Sequence, residues 1–96
     1  MSITAYHFWS PTCGPCMLIK PAIEDLKEEF PIVNWITVNT YDDPEKLASV
    51  YGVKIVPTIV VVASDDNGQV VLTDKHSGPN MPGYYRILRN AHKIIT

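Results

Sequence analysis

The sequence predicts an α/β protein in which a four-stranded mixed sheet carries helices on both faces. Runs rich in β-branched residues alternate with segments of helical spacing, as in a parallel βαβ unit. The apolar run at 58–63 is typical of a central strand that is covered on both faces. Residues 65–68 (Asp-Asp-Asn-Gly) then indicate a hairpin, and a helical pattern follows it. The predicted element order is therefore β-α-β-α-β-β-α.

The first strand is predicted over Ile3–Trp9, which is rich in β-branched and aromatic residues. Thr12 is expected to cap a helix that starts at Cys13, with Pro15 in the first turn, where a missing N–H costs nothing. Pro21 lies inside this helix and is expected to kink it. The apolar stripe of the helix follows i, i+3 and i+4 spacing and comprises Cys16, Ile19, Ile23, Leu26 and Phe30. The polar residues expected mostly on the opposite face are Lys20, Glu24, Lys27 and Glu28.

The second strand is predicted over Val33–Asn39. A short helix should follow it, because Asp42 or Asp43 can supply an N-cap and Pro44 stands near the first position. Gly52 is expected at the C-terminal end of this helix, where glycine readily adopts the left-handed conformation.

The third strand is predicted over Thr58–Ala63, and the hairpin returns the chain as a fourth strand over Gln69–Lys75. The last helix is expected to begin at Asn80 or a neighbour. Its apolar residues recur at helical spacing and are Tyr84, Ile87, Leu88, Ala91 and Ile95. This spacing predicts that the helix buries one face against the sheet.

Length and composition favour one domain over residues 1–96, since 96 residues with 46% hydrophobic content suit a single compact core. The formal net charge is −2 and the basic residues form no stripe, so a nucleic-acid partner is not expected. No apolar run approaches the ~20 residues that span a bilayer, so no membrane partner is expected either. The first residues lack the charged and apolar regions of a signal peptide. We therefore expect a cytoplasmic protein.

The most informative motif is Cys13-Gly14-Pro15-Cys16, which holds both cysteines of the chain. Cys-x-x-Cys spacing at a helix start lowers a thiol pKa, and the thiolate is the nucleophile of disulfide exchange. A structural crosslink is disfavoured because so short a loop removes little entropy from the unfolded chain. Zinc is disfavoured because it needs four ligands, and no second pair exists. The spacing predicts a redox dithiol with Cys13 as the attacking thiol and Cys16 as the resolving thiol.

Taken together, several short motifs resemble the thioredoxin family in order and spacing over nearly the whole chain. They are Phe8-Trp9, Cys13-Gly14-Pro15-Cys16, Pro21, Tyr51-Gly52-Val53, Val56-Pro57-Thr58, Asn67-Gly68 and Gly78. The resemblance implies a thioredoxin-like three-layer sandwich. It also implies a protein-disulfide reductase that needs no metal and no organic cofactor.

The resemblance further implies how substrate is bound. Pro57 should be cis and lie against the cysteines, while the backbone of Val56 should meet an extended substrate. Gly78 should line the same groove, and Trp9 should pack beneath the active-site loop. The full set of substrate-binding positions implied by the resemblance is Trp9, Gly14, Pro15, Val56, Pro57 and Gly78.

The chain departs from the family pattern at several positions near the motif. Thr12 precedes the first cysteine, where Trp is usual, and Met17 follows the second, where Lys is usual. His7 takes the place of a buried Asp, and Thr37 that of the Lys that commonly faces it. His7 is therefore interpreted either as a neutral base that accepts the proton of Cys16 or as a core histidine. The sequence also begins at the strand that leads to the cysteines, without the family's usual first strand and helix.

The expected partners are disulfide-containing protein substrates and a thioredoxin reductase or similar electron donor. One alternative is a glutaredoxin-like reductase that uses glutathione, although residues 9–12 contain no Lys or Arg for a glutathione carboxylate. The other is a thioredoxin-like accessory binding module whose thiols are not used. The predicted strand over Val33–Asn39 would form a sheet edge, so the protein is expected to be a monomer or a weak homodimer.

Overall fold

Four strands form one mixed sheet in the order β2-β1-β3-β4, which confirms the predicted sheet. The structure, a computed structural model, describes residues 1–95. The strands are β1 (Ser2–Trp9), β2 (Asn34–Asn39), β3 (Thr58–Ser64) and β4 (Val70–Ser77). The helices are α1 (Gly14–Glu29), α2 (Leu47–Val50) and α3 (Met81–Ile95). Their order along the chain is the predicted β-α-β-α-β-β-α.

The strand registers place the C-terminal ends of β1, β2 and β4 and the N-terminal end of β3 at the same end of the sheet. β1 runs parallel to β2 and antiparallel to β3, with Trp9 opposite Asn39 and Phe8 opposite Thr58. Thr58 in turn lies opposite Ser77 at the end of β4. Four loops therefore meet at this end of the sheet: those that leave β1, β2 and β4 and the one that enters β3. The cysteine motif lies at the same end.

The core is divided by the sheet into two clusters. The larger cluster lies between the sheet and the apolar faces of α1 and α3, and its buried residues include Ile23, Leu26, Ile59, Tyr84, Ile87 and Leu88. The smaller cluster surrounds Phe8, Val38 and Val60 on the other face and is covered by residues of the α2 region. Burial of each large apolar side chain stabilises the fold by roughly 1.5–3 kcal/mol. Both faces of the sheet are thus covered by helices, as predicted.

Two predicted helix starts are wrong. The α1 cap is Cys13, not Thr12, and the helix begins at Gly14. The second helix begins only at Leu47, after Lys46 in the left-handed conformation with φ 55°. The carboxylate of Asp43, which lies before the helix, nevertheless accepts hydrogen bonds from the N–H groups of Leu47 and Ala48. Gly52 ends the α2 region with φ 65°, as predicted.

Pro21 lies inside α1, which continues to Glu29. Within residues 1–95, no helix has both the length and the apolar character that a membrane crossing requires.

Candidate active site

The two cysteines form a disulfide at the N-terminus of α1, and their Cα atoms are 5.2 Å apart. Cys13 is the N-cap residue in an extended conformation (φ −90°, ψ 104°), and its Sγ accepts a hydrogen bond from the backbone N–H of Cys16 at 3.1 Å. Pro15 stands in the first turn, where its missing N–H leaves no donor unsatisfied. Cys13 is 9% exposed and Cys16 5%, so Cys16 is the more buried of the two.

The N-cap position favours a thiolate on Cys13 once the disulfide is reduced. An N-cap side chain accepts one of the free N–H groups of the first turn, and here that side chain is the sulfur. The partial positive charge of the helix N-terminus adds to this effect. The first turn contains no acidic residue that would oppose it. The sulfur of Cys13 is therefore placed to act as a nucleophile.

The loop that presents Cys13 is fixed by backbone hydrogen bonds at this end of the sheet. The N–H of Cys13 donates to the carbonyl oxygen of Ser10 at 3.2 Å. Thr40, in the turn after β2, donates its N–H to the carbonyl oxygen of Trp9 at 2.9 Å, and its hydroxyl donates to the same oxygen at 3.3 Å. Trp9 itself is half-buried at the end of β1. The active-site loop is thus tied to the end of β2.

A second group of predicted residues meets at the start of β3. The Val56–Pro57 peptide bond is cis, as the resemblance implied. The N–H of Gly78 donates to the carbonyl oxygen of Pro57 at 2.9 Å, and Gly78 has a φ of 98°, where a side chain would be strained. The Tyr84 hydroxyl donates to the carbonyl oxygen of Gly78 at 2.6 Å and to that of Pro57 at 3.3 Å. The structure therefore joins Pro57 and Gly78 into one corner of the site.

Tyr84 was not predicted as a site residue, only as part of the apolar face of the last helix. Burial raises the pKa of Tyr84 to about 12, so its hydroxyl stays protonated and remains a donor at neutral pH. The strand register places Pro57 and Gly78 at the same end of the sheet as the cysteines. Contact of Trp9, Gly14, Pro15, Val56, Pro57 or Gly78 with substrate remains a prediction.

His7 lines a cavity of about 220 Å³ together with the resolving cysteine. The residues that line it are His7, Trp9, Cys16, Met17, Lys20, Glu24, Lys27 and Thr37. His7 is 8% exposed, and neither of its ring nitrogens has a hydrogen-bond partner. Burial, reinforced by the charge of Lys27 and partly opposed by that of Glu24, lowers the pKa of His7 to about 4. His7 is therefore neutral at pH 7 and shares a cavity with Cys16, as its interpretation as a base requires.

The charged side chains that line this cavity were not predicted from the sequence. Lys27 was expected on the outer face of α1, but it is half-buried. Its Nζ lies 3.4 Å from both the hydroxyl of Thr37 and a carboxylate oxygen of Glu24. A signal was present, because Cys16, Lys20, Glu24 and Lys27 follow i, i+4, i+8 and i+11 spacing along one side of the helix. Lys27 contacts Thr37 of the edge strand β2 and is therefore only partly exposed, whereas Lys20 and Glu24 are exposed.

In residues 1–95, no group of three or more His, Cys, Asp or Glu side chains could hold a metal ion.

The fold and the helix-capping cysteine pair define an α/β protein with a dithiol–disulfide site. The family model described as thioredoxin matches residues 3–80, and the chain belongs to the thioredoxin family. It is similar to the thioredoxin of Haemophilus influenzae, with 38% identity over 66 residues that cover 69% of this chain and 59% of that protein. It is also similar to the thioredoxin of Porphyra purpurea, with 32% identity over 68% of this chain and 61% of that protein.

Among solved structures, that of the Fasciola hepatica thioredoxin is similar to this one. It superimposes with a TM-score of 0.75 at 30% identity and covers 94% of this chain and 81% of that one. The chain matches about three fifths of the length of the algal and bacterial relatives named above.

Proposed function

We propose that the protein reduces protein disulfides by dithiol–disulfide exchange. The observation that supports this most directly is the N-cap position of Cys13, whose sulfur accepts the N–H of Cys16 at 3.1 Å in a chain of the thioredoxin family. A thiolate at that position is stabilised by the same N–H group and by the helix N-terminus. The substrate-binding groove is proposed to include Trp9 together with the corner formed by Pro57 and Gly78.

The proposed reaction has two exchange steps that move two electrons to the substrate. The Cys13 thiolate attacks one sulfur of the substrate disulfide, so that a mixed disulfide forms and the other substrate sulfur leaves as a thiolate, which takes up a proton. Cys16 then loses its proton and attacks the sulfur of Cys13. The second substrate thiol is released, and the Cys13–Cys16 disulfide remains. A flavoprotein thioredoxin reductase that takes electrons from NADPH is the proposed donor for the next cycle.

We propose His7 as the group that receives the proton of Cys16. His7 and Cys16 line the same cavity, and the unpartnered ring nitrogens leave His7 able to accept a proton directly or through water. A pKa of about 4 makes His7 a weaker base than an exposed histidine. The thiolate that forms on Cys16 opposes this, because a nearby negative charge favours the protonated ring.

A trapping experiment tests the assignment of the two cysteines. Cys16→Ser should lose insulin-disulfide turnover and accumulate a covalent adduct with substrate through Cys13, detected by non-reducing electrophoresis and mass spectrometry. Cys13→Ser should lose turnover without the adduct. Accumulation of adducts only in Cys13→Ser would reverse the assignment, and full activity of the double Cys→Ser variant would favour an accessory binding module.

The electron donor is tested separately from the chemistry. The oxidised protein should be re-reduced faster by NADPH with thioredoxin reductase than by glutathione with glutathione reductase. The opposite order would favour the glutaredoxin-like alternative. A cytoplasmic location is part of the proposal, because a dithiol that must be recharged needs a reducing compartment. Fractionation of the source cells would test that location.

A further inference from the structure

Tyr41 is a large aromatic residue that stands exposed beside the attacking cysteine. Tyr41 is 67% exposed, and its hydroxyl is hydrogen-bonded to the hydroxyl of Thr12, the residue directly before Cys13. Tyr41 belongs to none of the motifs that carry the family resemblance. The exposure and the contact with Thr12 are independent of the cavity that holds His7.

The backbone of Tyr41 is also held by a hydrogen bond. The N–H of Tyr41 donates to the side-chain oxygen of Asn39 at 2.9 Å, and Asn39 pairs with Trp9 in the parallel β1–β2 register. The adjacent Thr40 donates to the carbonyl oxygen of Trp9. Tyr41 is therefore anchored at its backbone and at its hydroxyl, while its ring remains in solvent between the two anchors.

A second exposed apolar side chain lies across the site. β1 lies between β2 and β3 in the sheet. The turn after β2 and the loop before β3 therefore lie on opposite sides of the loop that follows β1 and presents Cys13. Tyr41 stands in the first, and Ile55, which is 60% exposed, stands in the second. The carbonyl oxygen of Ile55 accepts a hydrogen bond from the Thr58 hydroxyl at 2.7 Å, which fixes its position.

We propose that Tyr41 is a specificity-determining residue whose ring receives an apolar side chain next to the disulfide of a protein substrate. The inference rests on the proposed function, because it assumes attack by Cys13 on a protein disulfide. An aromatic ring that is already held in place gives a large contact area at low cost in conformational entropy. Tyr and Trp are enriched among the residues that dominate binding energy at interfaces. The partner chemistry is therefore an extended protein segment with a bulky apolar residue near its cystine.

The test compares Tyr41→Ala with Tyr41→Phe on a protein substrate and on a small disulfide. Tyr41→Ala should raise KM for insulin about 3- to 10-fold with little change in kcat, because about 1 kcal/mol of binding is lost. Reduction of hydroxyethyl disulfide, which has no apolar side chain to contact the ring, should stay within twofold of wild type. Tyr41→Phe keeps the ring but loses the hydroxyl contact with Thr12, so its KM for insulin should lie between those of wild type and Tyr41→Ala, with hydroxyethyl disulfide unaffected. Val70→Ala, an exposed apolar residue at the other end of the sheet, is the matched control.

Two results would overturn this inference and leave the proposed function intact. One is an unchanged KM for insulin in Tyr41→Ala. The other is an equal loss in Tyr41→Phe, Thr12→Val and Tyr41→Ala on both substrates, which would mean that the hydroxyl pair only orders the loop. A wild-type protein that reduces neither substrate would instead overturn the proposed function, and the inference with it.

Discussion

His7 is a buried polar residue whose two ring nitrogens are unpartnered, so its charged form is strongly disfavoured. The charged groups that line its cavity all come from α1 and are Lys20, Glu24 and Lys27. From the β3 side, His7 pairs with the apolar Ile59, which separates it from His76 on β4. Desolvation and the charge of Lys27 together lower the pKa of His7 from its ordinary value of 6.5 to about 4.

His7→Leu should remove a pH dependence of stability that the wild type shows between about pH 4 and pH 6.5. In this window the unfolded chain binds a proton at His7 and the folded protein does not, so the free energy of unfolding rises with pH and falls on acidification. Above pH 6.5 the residue is neutral in both states. The difference across the window is about 3 kcal/mol for a pKa shift of this size. Urea denaturation at several pH values, with wild type and His7→Leu compared, measures it.

The same variant separates a catalytic His7 from a core histidine. If His7 accepts the proton of Cys16, His7→Leu should leave the first attack by Cys13 unchanged and slow resolution of the mixed disulfide by about 10- to 100-fold. Stopped-flow measurement of both steps would show this. Lys27→Met is a useful companion, since loss of that charge should raise the pKa of His7, seen by NMR titration of the ring. An unchanged resolution rate in His7→Leu would leave His7 as a core residue.

At the scale of elements, α2 depends on a carboxylate that lies outside it. The two carboxylate oxygens of Asp43 accept the N–H groups of Leu47 and Ala48 at 2.9 and 3.0 Å. Asp43→Ala should lower the free energy of unfolding by about 1–2 kcal/mol, because free N–H groups at a helix start lose their partner. Asp42→Ala, at an exposed neighbouring position, should have almost no effect. Urea denaturation at pH 7 compares the two, and equal effects would contradict the capping role.

The strands and the last helix could be predicted from the sequence because their signals are periodic. The apolar spacing of Tyr84, Ile87, Leu88 and Ala91 required only that one face be buried, and the structure buries that face. The cap of α1 could not be predicted the same way. Cysteine is an uncommon N-cap, so the pattern favoured Thr12, and only the backbone angles of Cys13 identify the cap.

Contacts between residues that are far apart in the sequence could not be predicted from the sequence pattern either. The helical period places Lys27 away from the apolar stripe, but it does not show that β2 lies beside that part of α1. The contact between Tyr41 and Thr12 likewise joins residues 29 positions apart. In contrast, the motif residues Cys13, Cys16, Pro57 and Gly78 were predicted together, because the family resemblance carries their relative placement as well as their type.

At the scale of the whole molecule, the two edges of the sheet differ in how they discourage pairing. The edge strand β4 carries Asp74 and Lys75, charges of the kind that blunt an edge. The sequence of β2, the other edge in residues 1–95, is Asn-Trp-Ile-Thr-Val-Asn, without a charge or a proline. Ile36 is exposed in the middle of it. The unprotected edge is thus β2, next to the cavity that holds His7.

We therefore expect weak self-association of the 96-residue chain through β2. One short strand pair buries much less than the ~1,000 Å² of a stable interface, so the dimer should have a Kd of roughly 0.1–1 mM. Sedimentation equilibrium should show an apparent mass that rises with concentration in this range. Ile36→Lys places a charge on the edge and should abolish the rise, while Val71→Lys on β4 is the matched control and should not. A strict monomer at millimolar concentration, or equal loss in both variants, would contradict association through β2.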